Sequence, residues 1–179
     1  MGEQTADADQ AVDDDPVARF LRFYDQALPH VYGYLARRCG PTAVAEDLCA
    51  ETFLAAVDAA RGPAPPEPSV PWAVTVARNK LVDHWRRMGR EERRFEMLSG
   101  ALPEPADIEF DPDAVDTRRT LDELIPQHRA ALTLRYLDDL PVPEVARLLG
   151  RTVHATEALL VRARTAFRRA YATTEGRDG

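Results

Sequence analysis

No stretch of the 179 residues approaches the roughly 18 consecutive apolar side chains that a membrane span needs. The N-terminus lacks a basic segment followed by an apolar one, so a secretory leader is not expected. Aromatic residues make up only 7%, and no single large core is advertised. The two cysteines, Cys39 and Cys49, form neither a metal-ligand pattern nor a disulfide framework. Their ten-residue spacing would permit a bridge only if the intervening turn brought them together. A reduced, cytoplasmic setting is the expectation. Chemistry-bearing patterns are missing as well. The four histidines, at 30, 84, 128 and 154, lie on separate elements with no His-x-x-x-His pair. There is no GxxxxGK phosphate loop. The only serines, Ser69 and Ser99, fall in loop-like sequence, which speaks against a serine-centred triad. The sequence therefore predicts no enzyme, no cofactor and no metal site.

What is present is a segregated charge. The net charge of −7 conceals an acidic start, with six acids and no base in residues 1–15. A second acidic stretch, 96–123, carries a net −7. Against these stand two basic blocks, +4 over 76–95 and +5 over 147–171. Local contact with phosphates requires such concentration, although two solvated helix faces would look the same.

The pattern predicts an all-α protein of two small helical domains joined by a flexible acidic linker, the second containing a helix-turn-helix. The expected divisions are a disordered acidic tail (1–15), a first domain (16–97), a linker (98–117), a second domain (118–173) and a short tail (174–179). In the first domain an apolar stripe over 16–39 is interrupted by Pro29, which predicts a kink or a split. Residues 43–60 form the clearest helix. Ala45, Leu48, Cys49, Thr52, Phe53, Ala56, Val57 and Ala60 face inward. Asp47, Glu51, Leu54 and Asp58 lie opposite, as a solvated surface or as a docking face for a basic partner helix. Five prolines among residues 63–71 make a stiff extended loop, and Pro71 opens the next helix, 71–88 or longer. There Ala73, Val74, Ala77, Leu81 and Trp85 point inward, leaving Arg78, Asn79, Arg86 and Arg87 outside.

In the second domain Thr117 is placed to cap the first helix, Pro126 opens the second, and Pro141 with Pro143 opens the third. Gly150 supplies the tight turn and Thr152 the N-cap of the last helix. Val153, Thr156, Leu160, Ala163 and Phe167 are expected as its buried stripe.

Two segments carry a family resemblance. AEDLCAETFLAA (45–56) followed by PWAVTVARNKLVDHWRR (71–87) resembles the promoter −10-reading domain of extracytoplasmic-function sigma factors. LIPQHRAALTLRYLDDLPVPEVARLLGRT (124–152) resembles their −35-reading domain, in the same chain order. The resemblance covers about residues 18–172. It implies a subunit that binds bacterial core RNA polymerase and promoter DNA, with an anti-sigma protein as a possible further partner and no membrane. Polymerase docking would fall to Asp47, Glu51, Leu54 and Asp58. Contact with the melted −10 strand would fall to Arg78, Asn79, Arg86 and Arg87, with Asn79 reading a base and Asp83 pairing internally with an arginine. Trp72 would be core, and the loop 61–70 would capture a flipped base. The −35 duplex would meet Arg151, Thr152, His154, Ala155, Glu157, Ala158 and Arg162, with Arg164 and Arg168 also gripping phosphates. Two positions depart from the pattern, since Glu157 and Leu159 stand where the family commonly presents a basic residue and an arginine.

A stand-alone helix-turn-helix regulator would account for 118–173 but leave 43–88 without a purpose. A helical adaptor would make both basic blocks accidental.

Overall fold

The computed structural model describes residues 15–96 and 115–175. The sequence-based acidic tail, the linker up to residue 114 and residues 176–179 lie outside them. Seven α-helices and no strand occur among the described residues: α1 (Pro16–Ala36), α2 (Thr42–Ala60), α3 (Val70–Glu96), α4 (Val115–Glu123), α5 (Pro126–Leu132), α6 (Val142–Leu149) and α7 (Val153–Glu175). They gather into two compact units. The first holds described residues up to Ala36 together with Pro41–Lys80; the second holds Arg37–Gly40 and the described residues from Leu81 onward.

In the first unit, Asp15 starts α1 by accepting from the Val17 N–H at 3.0 Å. The expected split at Pro29 does not occur, because α1 is helical through it. Pro29 and Asp25 are both exposed, so water can satisfy the carbonyl that proline leaves without a donor. Phe23, Ala27, Val31, Tyr34 and Leu35 form the buried face of α1. Helix α2 packs against it, burying Ala45, Leu48, Cys49, Thr52, Phe53 and Ala56. Ala60 is exposed rather than inward, since α2 ends there. The rings supply the glue: Phe23 lies 6.3 Å from Phe53 and 6.1 Å from Trp72, while Tyr24 lies 4.6 Å from Phe53. These edge-on and tilted contacts tie α1, α2 and the start of α3 together. Trp72 is half-buried in this cluster. The proline loop remains non-helical until Ser69, whose hydroxyl accepts from the Trp72 N–H and caps α3.

In the second unit α7 is the hub, packed against α4, α5 and α6. Leu121, Leu124, Ala131, Leu132, Leu159, Leu160, Ala163 and Phe167 form its core. Thr117 does not cap α4. It lies within the helix, which begins at Val115, and its side chain is buried. Pro126 opens α5 as expected. A π-helical turn, Thr133–Leu137, follows without any warning in the sequence, its Asp138 N–H reaching back five residues to the Thr133 carbonyl at 3.0 Å. Pro141 and Pro143 flank the start of α6. Gly150 ends it in the left-handed region at φ +63°, and the Arg151 N–H closes onto the Ala146 carbonyl at 2.9 Å. The Thr152 hydroxyl then accepts from the Ala155 N–H at 3.2 Å and starts α7.

The buried stripe of α7 differs from the expected one at two positions. Val153 is 43% exposed, whereas Leu159 is 1% exposed. Val153 lies in the first turn, beyond the reach of the covering helices. Leu159 points into the core with Leu160, so an arginine at this position would bury its charge.

Candidate functional site

The outer stripe of α2 follows from helical phase, with positions 47, 51, 54 and 58 recurring on one side. Asp47 and Asp58 are exposed, and Leu54 is 65% exposed, the most exposed large apolar side chain described. Glu51 is half-buried and pairs with Lys80 of α3 at 3.7 Å. That pair escaped sequence reasoning, which had counted Lys80 only within a basic block. A separation of 29 positions leaves no local signal for it. The stripe thus offers two unhindered carboxylates, one part-neutralised carboxylate and an apolar knob.

On α3 the spacing puts Asn79, Asp83 and Arg86 on one stripe, with Arg78 and Arg87 flanking it on opposite sides. Asn79 and Arg87 are exposed; Arg78 and Arg86 are half-buried. Asp83 lies 3.5 Å from Arg86, so its carboxylate partly neutralises that guanidinium. Beside the proline loop a cavity of about 360 Å³ opens, bordered by Phe20, Trp72, Pro65, Pro66, Pro68 and Arg19. It combines apolar walls with one basic and one acidic lining residue, Arg19 and Glu67.

Of the candidate residues on α7, His154, Glu157, Ala158 and Arg162 are exposed and Ala155 is half-buried. His154 Nδ1 stands 4.0 Å from the Glu157 carboxylate. Thr152 is committed to its cap. Arg151 donates to Gln127 Oε1 at 3.0 Å, and Arg164 donates to the Tyr136 hydroxyl at 3.2 Å. The helix surface therefore presents the exposed arginines Arg162 and Arg169, a histidine–glutamate pair, and the small or apolar side chains Val153 and Ala158. Val153 was missed as a surface residue because period alone cannot see where the covering helices stop.

Beneath this surface His128 is held neutral, with burial first and then the Arg162 and Arg151 charges pushing its pKa down to about 4. Burial also pushes the Cys39 thiol up to about 12, and the Cys49 thiol is raised for the same reason. Both thiols are free and buried, so neither has thiolate character. Among the described residues no His/Cys/Asp/Glu cluster could hold a metal ion. No described helix is long and apolar enough to cross a membrane.

Two family matches fall in chain order on these elements. Residues 23–91 match Sigma-70 region 2 and residues 115–167 match Sigma-70, region 4. The chain is 34% identical over 157 residues to the ECF RNA polymerase sigma factor BldN of Streptomyces coelicolor. That match covers 80% of this chain and 57% of the Streptomyces protein, so the chain spans little more than half of that relative. It is 31% identical over 136 residues to the RNA polymerase sigma factor CarQ of Myxococcus xanthus, covering 73% of this chain and 76% of that protein. In fold it is similar to the sigma factor RpoE solved in complex with the anti-sigma factor NepR from Bartonella quintana. The TM-score is 0.50 at 20% identity, over 85% of this chain and 96% of that one.

Proposed function

This chain belongs to the extracytoplasmic-function sigma factors of the sigma-70 family, and we propose that it binds bacterial core RNA polymerase and directs it to promoters carrying −10 and −35 elements. The observation that carries this reading is the pairing, in one chain, of an exposed acidic stripe on α2 with a capped helix-turn-helix on α6 and α7. A DNA reader alone would need only the second.

In this reading Asp47, Glu51, Leu54 and Asp58 form the docking face. Carboxylates steer a basic partner helix, and Leu54 is the apolar anchor that an otherwise charged face lacks. Asn79 reads a base of the melted −10 strand, having both donor and acceptor, while Arg78, Arg86 and Arg87 hold phosphates. The cavity beside the proline loop receives an extruded base, with Phe20 and Trp72 as apolar surface and Arg19 at its rim. On α7, Arg162 grips phosphate, Glu157 accepts from a cytosine amine, and Ala155 and Ala158 meet thymine methyls. Arg151, Thr152 and His154 border that contact. The protein acts in the cytoplasm and performs no catalysis of its own; RNA synthesis belongs to the polymerase. An anti-sigma protein is a fitting regulator for such a surface.

The decisive experiment is co-elution of the purified chain with core polymerase on a sizing column at moderate salt, beside an Asp47→Arg/Glu51→Arg double variant. Co-elution of the wild type that the double variant loses is the expected result. A folded wild type that never co-elutes, with any anti-sigma partner excluded, overturns the reading in favour of a stand-alone DNA-binding regulator.

A further inference from the structure

The second helix of a helix-turn-helix turns its outward side chains to base edges, its first turns lying nearest the bases. Helical phase draws two outward ridges along α7. One is His154, Ala158 and Arg162, all exposed. The other is Val153, Glu157, Val161 and Thr165. Val153 is 43% exposed and the Glu157 side chain 59%, while Val161 and Thr165 are half-buried. The Gly150 turn and the Thr152 cap fix where this second ridge begins. Its chemistry is one-sided. The valines carry no polar side-chain atom, an ionised Glu157 only accepts, and Thr165 donates its single hydroxyl proton to the Val161 carbonyl at 3.1 Å. His154 Nδ1 stands 4.0 Å from the Glu157 carboxylate, but the His154 side chain is 96% exposed. Such a surface pair has little net strength and leaves the carboxylate available.

A ridge whose side chains offer acceptors and no free donor cannot read guanine, because N7 and O6 are both acceptors. Thymine O4 repels a carboxylate for the same reason. Adenine has the N6 donor, but its N7 lone pair lies beside it and faces the same carboxylate. Cytosine is left, with its N4 donor beside an apolar C5 edge. A carboxylate between two rows of phosphates needs such a donor to offset the repulsion. The valines at i−4 and i+4 stand about 5–6 Å from Glu157 between β-carbons, one on each side of it. They cover the base steps flanking that cytosine. A substituent on pyrimidine C5 projects toward the 5′ neighbour, and one valine lies over that step whichever way the helix runs along the groove.

We infer that Val153, Glu157 and Val161 form a cytosine reader that favours a C5 methyl group, so that methylation of one −35 cytosine strengthens promoter binding by this chain. The inference rests on the proposed sigma function and narrows it to −35 elements whose reading depends on the C5 chemistry of a cytosine. On bare duplex a C5 methyl meets water; against valine it is withdrawn from it. 5-Methylcytosine keeps the N4 donor for Glu157 and adds the apolar group for valine. Thymine has the methyl without the donor. The three pyrimidines therefore separate the two contacts: cytosine against thymine reads Glu157, and 5-methylcytosine against cytosine reads the valines. The exposed Arg162 and Arg169 add a phosphate attraction that is common to all sequences.

The test presents a pool of duplexes, randomised over the −35 region, to the full chain bound to core polymerase and to the free full chain. Wild type is expected to enrich one fixed cytosine. Glu157→Gln is expected to replace that cytosine by adenine, whose N6 and N7 a glutamine bonds together, and to leave the other positions unchanged. Titrations then compare cytosine, 5-methylcytosine and thymine at that position of the enriched duplex. Wild type should bind 5-methylcytosine about 3-fold tighter than cytosine, and thymine about 10-fold or more weaker. Either Val153→Ala or Val161→Ala should abolish the methyl advantage while keeping cytosine over thymine, with helix content by circular dichroism as in wild type. Enrichment that Glu157→Gln leaves unchanged overturns the reader, as does 5-methylcytosine bound no tighter than cytosine. A methyl advantage that survives both valine variants also overturns it. If the chain binds no core polymerase yet enriches the cytosine alone, the sigma function fails and the reader stands; enrichment in neither form overturns the reader.

Discussion

Helices α2 and α7 both present polar faces, yet they treat their charges differently. On α2 the acidic side chains are short and stand where helical phase puts them; among the described residues only Glu51 has found a partner, Lys80. On α7 and its entry turn the bases are long. Two of them are drawn inward, Arg151 to Gln127 and Arg164 to Tyr136, while Arg162 stays exposed. Arginine has a long apolar stem and five donors, so its direction is chosen by whatever acceptor lies within reach. A carboxylate on a two-carbon stem has far less choice. The direction of a short acidic side chain is therefore readable from period alone, and that of a long basic one only where no acceptor lies within reach.

The sharpest way to break this comparison is to cut each helix on the side that the other leaves open. Leu159→Ala is expected to destabilise the second unit by about 2–5 kcal/mol, because Leu159 is buried in its core. Urea denaturation followed by circular dichroism measures it; a loss below about 0.5 kcal/mol, the range of surface substitutions, would place Leu159 outside the core. Leu54→Ala, by contrast, is expected to leave stability within about 0.5 kcal/mol and to weaken polymerase binding.

Acid comes next. His128 has its pKa lowered from the ordinary 6.5 to about 4, so the unfolded chain binds this proton more readily than the folded one. Stability from this group is present above pH 6.5 and lost as pH falls toward 4. Discounted for its partial exposure, the loss is about 1–2 kcal/mol. Denaturation midpoints at pH 7 and pH 4.5 for wild type and His128→Gln measure it; an equal drop in both would assign the loss to other groups.

Thr152→Ala removes the cap of α7 and is expected to cost about 1 kcal/mol, with Thr152→Ser recovering most of it. The smallest effect is electrostatic. Arg162→Ala should reduce the salt slope of −35 binding by the holoenzyme by about one unit, uniformly across sequences. Arg164→Ala, whose guanidinium is turned to Tyr136, should change that slope little while lowering stability. Reversed slopes would show that the two arginines exchange roles on DNA.

Much of this architecture was legible because local chemistry fixes it. The helix expected at 43–60 is Thr42–Ala60, and the one expected from Pro71 starts one residue earlier at Val70. Proline at α5 and α6, Gly150 and Thr152 all act at the positions their backbone preferences predict. The same local logic offered a kink or a split at Pro29, where the helix is not split, and failed at Thr117, where the helix starts before the residue read as its cap. The π-helical turn had no signature, since no glycine or proline lies within Thr133–Leu137.

Among the candidate site residues, the α2 stripe and the exposed places of Asn79, Arg87, His154, Glu157, Ala158 and Arg162 followed from helical phase. The pairing of Asp83 with Arg86 also followed, whereas the Gln127 partner of Arg151 did not. The sequence by itself determined which stretches are helical, where most of them begin, and which short side chains face out, because these depend on neighbours three or four residues away. Only the tertiary structure decided that Leu159 is core and Val153 is surface, and that Arg38 meets Asp138 across 100 positions. Those outcomes depend on which helix covers which turn and on which acceptor a long cation finds there, and neither is written within the span of a single helix.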